Sequence, residues 1–488
     1  MAKPSSIKVH TYRTTRSKPQ RRWLAGLFMA GLLLAIAIAF GRGQSSLHPT
    51  AATLPQDPYI KVFFNHSPAT VYRDPYRQVQ RWGDDLEQVI LTAIDQANTT
   101  IDIAVQELNL PEIAQALIAK ARTGVRVRVI LEHQYSQPWS GKDTHWLAQQ
   151  DDYARGKYEN LRAFGDQNGD GTVSPAEARE RDAVLMLQTA QIPLLDDTAD
   201  GTKGSGLMHH KFMIIDGQQV ITGSANWTLS GLHGDALLPD SRGNTNTLLV
   251  IDSTALANAY QQEFTLMWGD GPGGQTDSIF GPQKSPRAPQ QISIPGSSVT
   301  VQFAPNTTNT PSEQTVNGLI GRTLQQARQS IDVALFVFTD QGIANQIRER
   351  VESGVQVRSL IDRSFIYRSY SEALDMMGMA LPDHRCKYEK DNEPWTTPIT
   401  SVGFPELPDG DKLHHKFALV DNRVVIIGSH NWSKAANTQN DENLLVIENP
   451  TVARHFEREF NRLYQDANLA QTAYLQNQIR KFQLQCGS

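Results

Sequence analysis

Apolar residues recur along the chain at the spacings of amphipathic helices and of short buried strands. Residues 86–97 have apolar positions three to four residues apart, which predicts a helix, and residues 101–105 form a short apolar run that indicates a strand. A second helix is predicted near 111–123, and Gly124 ends it before a strand over 125–131. Strand, helix and strand in this order indicate a βαβ unit with a parallel sheet.

The same pattern returns 230 residues later. Residues 331–335 match 101–105, and residues 354–358 match 124–128. The stretch 269–298 between them is rich in glycine and proline, which is typical of a linker. The chain is therefore predicted to be a duplicated α/β unit. The predicted segments are a basic leader over 1–43, a linker over 44–57, a first half over 58–268, a linker over 269–298, a second half over 299–470 and a tail over 471–488.

The leader combines a basic start with an apolar run. Residues 1–42 contain eight Lys or Arg and no acidic residue, so removing them changes the formal net charge from −5 to −13. Residues 23–40 carry no charge and reach the lower length limit of a membrane-spanning helix. The positive-inside rule then predicts a single-pass membrane protein with an extracytoplasmic catalytic region. A cleaved signal peptide, giving a secreted or periplasmic protein, is the alternative.

A pattern with six specified positions, H-x-K-x4-D-x6-G-S-x-N, occurs once in each half. Because alternate residues of a strand share a face, the histidine and lysine are predicted to point together, and the aspartate to lie opposite and hold the turn. A histidine can attack phosphorus or donate a proton, a lysine neutralises phosphate charge, and an asparagine amide donates hydrogen bonds. The candidate residues are His209, Lys211, Asp216, Ser224 and Asn226 in the first copy and His414, Lys416, Asp421, Ser429 and Asn431 in the second.

These paired motifs resemble the HKD motifs of the phospholipase D superfamily, and the resemblance covers most of the chain after about residue 58. It implies a duplicated α/β/α sandwich whose halves are related by a pseudo-twofold axis. It also implies that the halves share one active site, complete within a single chain. The implied reaction is phosphodiester hydrolysis through a covalent phosphohistidine, and this chemistry requires no metal.

The expected substrate is a phospholipid or another phosphodiester, and phospholipase D action on phospholipid headgroups at a membrane is the leading hypothesis. An extracytoplasmic endonuclease and a phosphatidyl transferase are alternatives in the same superfamily. The acidic body lacks the global basic field of nucleic-acid-binding proteins, which disfavours a nucleic-acid partner, although a local groove could be basic. A calcium-responsive binding protein with an inactive site is a further alternative, and the two intact motifs argue against it. The oligomeric state is not indicated.

The two halves differ downstream of the motif. Glu442 occupies a position at which the superfamily typically supplies a carboxylate to orient the catalytic histidine, whereas Asn246 stands at the matching place in the first half. We therefore expect Glu442 to raise the pKa of His414, and Asn246 to leave the pKa of His209 low. Because a nucleophile must be neutral and a general acid must begin protonated, His209 is predicted to attack phosphorus and His414 to protonate the leaving group.

An insertion at about 151–187 in the first half fits an EF-hand, with helical patterns on both sides of the loop 166–177. Oxygen-bearing side chains fall at positions 1, 3 and 5 of this loop, Gly171 makes the turn, and a glutamate closes it at position 12. The predicted calcium ligands are Asp166, Asn168, Asp170, Thr172, Ser174 and Glu177. The ion is expected to be structural or regulatory. An acidic surface turn is the alternative.

Four other residues carry smaller expectations. Cys386 and Cys486 are the only cysteines, and their spacing does not decide whether they form a disulfide. His210 and His415 follow the motif histidines directly, so they face the other side of the strand and are predicted to be structural.

Overall fold

Two mixed β-sheets, one built mainly by each half of the chain, carry the two motifs. A computed structural model describes residues 47–201, 206–307, 309–470 and 472–486. From Pro49 onward the chain forms a single compact unit, so both sheets belong to one body.

The first half forms nine strands within the described residues. They are β1 (Ile60–Phe64), β2 (Val71–Arg73), β3 (Gln80–Trp82), β4 (Thr100–Val105), β5 (Arg126–Leu131), β6 (Leu194–Asp196), β7 (Lys211–Ile215), β8 (Gln219–Gly223) and β9 (Thr247–Asp252). Seven of them form a sheet in the order β1-β9-β8-β7-β4-β5-β6, and β2 and β3 form a separate hairpin. Strands β4, β5 and β6 run parallel, which confirms the βαβ unit, while β7, β8, β9 and β1 are added antiparallel.

The second half repeats this order with an extra strand at each edge. Its strands are β10 (Gln290–Ile294), β11 (Ser297–Ala304), β12 (Ser330–Leu335), β13 (Phe338–Thr339), β14 (Gln356–Ile361), β15 (Val402–Phe404), β16 (Lys416–Val420), β17 (Val424–Gly428), β18 (Trp432–Ser433), β19 (Glu442–Glu448) and β20 (Asn468–Leu469). The sheet order is β10-β11-β19-β17-β16-β12-β14-β15-β20. Along this sheet, the seven strands β11-β19-β17-β16-β12-β14-β15 occupy the same positions as β1-β9-β8-β7-β4-β5-β6 in the first sheet. This correspondence confirms the duplicated fold.

Helices cover the faces of both sheets. In chain order they are α1 (Leu86–Gln96), α2 (Pro111–Arg122), α3 (Thr144–Ala148), α4 (Asp152–Gly165), α5 (Pro175–Arg181), α6 (Ala183–Thr189), α7 (Leu229–Leu232), α8 (Thr254–Trp268), α9 (Val316–Leu324), α10 (Gln341–Glu352), α11 (Glu372–Met376), α12 (Lys434–Thr438), α13 (Pro450–Gln465) and α14 (Ala473–Cys486). The helical pattern expected after the loop 166–177 forms two helices, α5 and α6, divided at Asp182. The carboxylate of Asp182 accepts a hydrogen bond from the amide of Leu185 and caps α6.

Helices α8 and α13 join the halves. Each begins at a side-chain cap, Ser253 for α8 and Asn449 for α13, and such caps stabilise a helix by about 1 kcal/mol. Helix α8 packs on β7 and β8 and also on β10 and β11, whereas α13 packs on β16 and β17 and also on β1. Their buried faces, including Tyr260 and Phe456, lie in one hydrophobic core cluster with residues of both sheets. The halves therefore share a core.

Two predicted segments take ordered form in the structure. The stretch expected to be a linker contains β10, which pairs with β11 at the edge of the second sheet. The expected tail contains α14, which a disulfide between Cys386 and Cys486 ties to the second half. Glycine and proline content indicated a break in the fold between the halves, but it did not indicate that the connecting chain adds a strand.

The prediction of a single-pass membrane protein is wrong. Among the residues that the structure describes, no helix has both the length and the apolar character needed to span a bilayer, and this overturns the predicted localisation. The apolar run over residues 23–40, on which the prediction rested, lies outside the described residues.

Candidate active site

The two motifs meet at one place because the polypeptide around each histidine hydrogen-bonds to the other half. The amide of His209 donates to the carbonyl of Asp441 at 3.0 Å, and the amide of His414 donates to the carbonyl of Thr245 at 3.2 Å. Each histidine lies just before its strand, β7 or β16. This exchange is the contact expected of a pseudo-twofold pair, and it brings both motif histidines to the same cavity.

The motif lysines lie buried beside the histidines. The Nζ atom of Lys211 donates to the carbonyl of His209 at 2.8 Å, and Lys416 makes the same bond to His414. Their other neighbours differ, since Lys211 also reaches the side chain of Gln106, whereas Lys416 lies 5.1 Å from the ring centre of Phe336. Burial lowers the pKa of Lys211 to about 7 and that of Lys416 well below its ordinary value. An anionic phosphate would restore their charge.

A cavity of about 510 Å³ opens beside the motif histidines. Both histidines line it, together with the motif asparagines Asn226 and Asn431. The Oδ1 atom of each asparagine is buried and has no hydrogen-bond partner within the described part of the chain. The two side-chain amides face the cavity and do not hydrogen-bond to each other. They suit a ligand that supplies both donors and acceptors, such as a phosphodiester and its attacking water.

The support for each histidine comes from the opposite half, which corrects the predicted pairing. Nδ1 of His209 lies 2.8 Å from a carboxylate oxygen of Glu442, and Nδ1 of His414 lies 3.0 Å from Oδ1 of Asn246. The sequence had placed Glu442 with His414 and Asn246 with His209. Distance along the chain misled the prediction, because the strand that carries the supporting group faces the other half across the shared cavity.

The hydrogen bonds around Asn246 fix its orientation. Its Nδ2 donates to the carbonyls of Gly231 and Asn244 at 2.9 and 3.2 Å, so Oδ1 is the atom that faces His414. Ser224 also donates to this Oδ1 at 2.8 Å. An amide oxygen can only accept, so Nδ1 of His414 carries the hydrogen and Nε2 is left for the substrate.

Glu442 is held in the same way. Ser429 donates to it at 2.6 Å and Asn440 at 3.2 Å, in addition to His209. Burial raises the pKa of Glu442, and these donors act in the opposite direction by stabilising its charged form. The two motif serines therefore support the groups behind the histidines. The sequence had named both serines as candidate site residues, and the structure places Ser429 behind Glu442 and Ser224 behind Asn246.

Burial lowers the pKa of both motif histidines well below the ordinary imidazole value, and the two lysines lower it further. His209 and His414 are therefore neutral in the free site near pH 7. A bound phosphodiester would place a negative charge beside them and shift both pKa values upward.

The motif aspartates lie away from this cavity. Asp216 follows the far end of β7 from His209, and its carboxylate accepts hydrogen bonds from the amides of residues 98–100 at 2.7–2.8 Å. Asp421 makes the equivalent bonds to residues 328–330 at 2.8–2.9 Å. Seven residues of strand span about 23 Å. The structure therefore does not bring Asp216 and Asp421 to the reacting atoms, and it places them as turn residues.

The histidines next to the motif histidines cross between the halves. His210 lies beside Glu263 of its own half and 3.4 Å from Asn443 of the other, and His415 lies beside Glu459 and 3.0 Å from Thr247. Both are fully buried. This agrees with the structural role predicted for them.

Two buried groups near the site were not singled out from the sequence. Lys284, in the stretch expected to be a linker, pairs with Glu263 at 2.6 Å and with Asp441 at 2.7 Å. His430 stands where the first copy has Ala225, and burial lowers its pKa to about 4. An extra histidine inside one motif copy is a visible signal for His430, whereas no local pattern distinguishes Lys284 from an ordinary linker lysine.

The predicted calcium loop lies between α4 and α5, and α4 forms one wall of the cavity. Lys157 on α4 lines the cavity and pairs with Glu107 at its edge. A second cavity of about 500 Å³ adjoins the first and shares this wall. Its lining includes Trp139, Trp146 and Tyr158.

Comparison with known proteins agrees with this geometry. The profile of the family described as "cardiolipin synthase, PLD-like domain" matches residues 90–268 and 320–464, which contain both motifs. The chain belongs to the phospholipase D-like family. Both matched segments contain the strands and helices that carry one motif, so the family assignment covers the whole candidate site.

Relatives of this phospholipase D-like protein include mitochondrial cardiolipin hydrolases. The Homo sapiens protein is 31% identical over 149 residues, which are 30% of this chain and 50% of that protein. The Xenopus laevis protein is 27% identical over 253 residues, 51% of this chain and 90% of that protein. The crystal structure of phosphatidylserine synthase from Haemophilus influenzae has a TM-score of 0.54 at 14% identity, covering 88% of this chain and 94% of that one. This likeness concerns the fold alone.

Proposed function

We propose that the protein is a phospholipase D-type phosphodiesterase that hydrolyses phospholipid headgroups through a phosphohistidine intermediate. One observation carries the proposal: two buried histidines face one cavity, and each has Nδ1 held by a group from the opposite half. That arrangement leaves both Nε2 atoms for the substrate, one to attack and one to transfer a proton.

In the first step, Nε2 of His209 forms a bond to phosphorus while the bond from phosphorus to the leaving alcohol breaks. Protonated His414 gives its Nε2 proton to that alcohol. Lys211 and Lys416 stabilise the negative charge on the transferring phosphoryl group. In the second step, neutral His414 takes a proton from water, whose oxygen bonds to phosphorus as the bond to His209 breaks. Both histidines return to their starting states.

The assignment of His209 as nucleophile is kept, but on an argument opposite to the one drawn from the sequence. The His209 ring gains positive charge as it bonds to phosphorus, and the carboxylate of Glu442 stabilises that charge. His414 loses positive charge in the same step, and the neutral amide of Asn246 does little to hold its proton. Only interactions that are stronger in the transition state than before it raise the rate.

Two observations support a phospholipid substrate. The named relatives are cardiolipin hydrolases, and the second cavity offers aromatic walls on which the non-reacting part of a lipid can lie. Lys142 and Lys157 border this second cavity and suit a further negative group. Aromatic rings with nearby lysines also suit the stacked bases of single-stranded nucleic acid, which makes an endonuclease the second candidate.

The test offers the purified protein vesicles of phosphatidylcholine, vesicles of cardiolipin and single-stranded DNA in parallel. Release of phosphatidic acid or of a free headgroup is expected, with no cutting of DNA. His209→Ala and His414→Ala serve as matched controls and should abolish lipid turnover while keeping the circular dichroism of the native protein. DNA cutting that both variants lose, without lipid turnover, would assign the site to the endonuclease instead.

We further propose that the loop 166–177 binds one Ca²⁺. The turn at Gly171 has φ of +83°, and the carboxylates of Asp166 and Glu177 face the amides of the loop, with Asp166 accepting from Gly171 at 2.7 Å and Glu177 from Gln167 at 2.9 Å. The six predicted ligands supply oxygen only, which suits a hard cation. Because α4 begins the EF-hand and walls the cavity, the ion would hold that wall in position.

Titration calorimetry is expected to give one Ca²⁺ per chain, at a dissociation constant of about 10⁻⁴–10⁻³ M if the site resembles extracellular modules. Glu177→Gln should remove the heat because it removes a two-oxygen ligand. Glu180→Gln, one turn further along α5, is the matched control and should leave binding unchanged. Absence of heat with the wild-type protein at millimolar calcium would reject the loop as a site.

A further inference from the structure

A second cluster of ligand-bearing side chains lies outside the HKD motifs, at the ends of β5 and β6. Glu132 and His133 follow β5, and Asp197 follows β6, which runs parallel to β5 and so ends at the same edge. One ligand atom from each of the three residues lies within 4.8 Å of the others. Glu132 is fully buried and Asp197 almost so, whereas the His133 side chain is 39% exposed.

The hydrogen bonds of this cluster are incomplete. Nδ1 of His133 lies 3.2 Å from Asp197 in hydrogen-bond geometry, and only 2.8 Å from Oε1 of Glu132. That Oε1 is nonetheless buried without a hydrogen-bond partner among the described residues, while Oε2 accepts from the amide of Gln134. One ring hydrogen cannot serve two carboxylates. A buried carboxylate oxygen therefore points into the cluster without a hydrogen bond from any described residue.

The equivalent position in the second half is occupied by a carboxylate whose hydrogen bonds are complete. Asp362 follows β14 as Glu132 follows β5, and its two oxygens accept from Ser364 and from the amide of Leu413 at 2.8 Å. Arg363 stands at the position of His133, and Pro405 at that of Asp197. One carboxylate satisfied by neutral donors replaces two carboxylates and an imidazole.

We propose that Glu132, His133 and Asp197 bind a divalent transition cation such as Zn²⁺ or Mn²⁺. Ligand bonds of about 2.0–2.2 Å place donor atoms about 3.0 Å apart at an octahedral angle and about 3.4 Å apart at a tetrahedral angle. The separations of 2.8 and 3.2 Å from Nδ1 need only small movements to reach these values. An imidazole with two carboxylates favours such cations over Ca²⁺ and Mg²⁺, which prefer oxygen alone. Exposure on the His133 side leaves room for water ligands.

The site would hold the chain that enters the first motif. Besides His133, Asp197 accepts a hydrogen bond from the amide of Met208 at 3.2 Å. Met208 immediately precedes His209. A cation on Asp197 would therefore fix the backbone on which the proposed nucleophile is carried, without touching the substrate. This role is separate from the proposed calcium loop.

The test measures metal content and binding on the full chain, with calcium in excess so that the loop 166–177 is occupied. After dialysis against Zn²⁺ or Mn²⁺ and desalting, mass spectrometry is expected to find one transition ion per chain, and calorimetry one site. His133→Ala, at a partly exposed position, should fold and lose the ion, and Glu132→Gln should lose it as well. Asp362→Asn in the second half is the matched control and should keep it.

The outcomes separate the alternatives. Loss of the ion in His133→Ala together with a smaller rise in melting temperature on adding Zn²⁺ supports the proposal. Uptake that persists in His133→Ala, or that Glu177→Gln removes, places the ion elsewhere and overturns it. No uptake of Zn²⁺ or Mn²⁺ by the wild-type protein would overturn the proposal as well.

Discussion

The two motif histidines occupy equivalent places in the two halves, yet different groups stand behind them. His209 has the buried carboxylate of Glu442 at 2.8 Å, and His414 has the neutral amide of Asn246 at 3.0 Å. The serines behind these groups, Ser429 and Ser224, are the same in kind and in bonding. The two halves have thus kept the same geometry behind both histidines but differ in charge at one of them. In the proposed mechanism this difference gives different tasks to two chemically identical side chains.

The largest expected effect separates nucleophile from acid. His209→Ala and His414→Ala should each lower kcat/KM for a phospholipid by about 10⁴-fold or more. With a 4-nitrophenyl phosphodiester the leaving group needs no proton, so His414→Ala should recover about 10²–10⁴-fold and His209→Ala should not. Steady-state rates on both substrates provide the measurement.

Rapid quench with labelled substrate sharpens this test. With a labelled 4-nitrophenyl phosphodiester, whose leaving group needs no proton, the label should appear on His209 of the wild-type protein. It should accumulate in His414→Ala, which can then form the intermediate but cannot activate water. Peptide mapping that places the label on His414 would reverse the comparison between the halves.

The next effect concerns the groups behind the histidines. Glu442→Gln should lower kcat by about 10²–10⁴-fold, because the amide cannot stabilise the positive charge that grows on His209. Asn246→Ala should lower kcat by a factor at least ten times smaller, since Asn246 only orients His414 and supplies no negative charge to it. Comparing kcat with KM checks this, because a loss confined to kcat indicates an interaction made in the transition state. Equal losses would contradict the division of tasks.

The comparison also predicts opposite movements of the pH profile. A carboxylate favours the protonated imidazole, so Asn246→Asp should raise the pKa of His414. Activity is lost at high pH when the acid deprotonates, and this limb should move upward. Glu442→Gln should lower the pKa of His209, and the low-pH limb, where the nucleophile is protonated, should move downward. Profiles of kcat/KM test both signs, and movement of the same limb in both variants would refute the assignment.

The smallest expected effect is on stability, and it is the same for the motif aspartates of both halves. Burial alone would raise the pKa of Asp216, but hydrogen bonds from the amides of residues 98–100 lower it to about 2. The carboxylate therefore stabilises the folded state above its ordinary pKa of about 4, and that stability is lost as pH falls toward 2. Asp216→Ala and Asp421→Ala should each lower the unfolding free energy at pH 7 by no more than about 1 kcal/mol, because solvent screens the carboxylates at these partly exposed turns.

Thermal unfolding at pH 7 and pH 3 measures this effect, which should shrink at the lower pH. Neither variant should change the pH profile of kcat/KM, because both carboxylates lie at the far ends of β7 and β16. A change in that profile would place the aspartates in the catalytic machinery after all.

Much of the fold was readable from the sequence because the duplication repeats its signals. The offset of 230 residues between matching strands predicted β4, β5, β12 and β14 in their parallel pairs. The motif spacing predicted which histidines and lysines share a face. Local periodicity reports how a segment packs, and these segments pack mainly against neighbours in their own half.

The pairing of Glu442 and Asn246 could not be read in this way. It depends on contacts over 168 and 233 residues between halves whose docking leaves no local pattern. Lys284 was missed for the same reason, since its partners lie on α8 and before β19. The unsatisfied Oε1 of Glu132 is likewise a property of packed atoms, although the Glu132-His133 pair itself is visible in the sequence.

Each half supplies the group behind the other half's histidine, and both halves belong to one chain. A single mutation can therefore change the support of one histidine without changing the other. In an assembly of two identical chains, one codon change would alter the support of both histidines at once, and both would lose a carboxylate together. In this fused chain, a change at position 246 reaches only one histidine. An asymmetric active site is therefore open to single mutations here, whereas a symmetric pair of separate copies would be confined to changes that both catalytic roles tolerate.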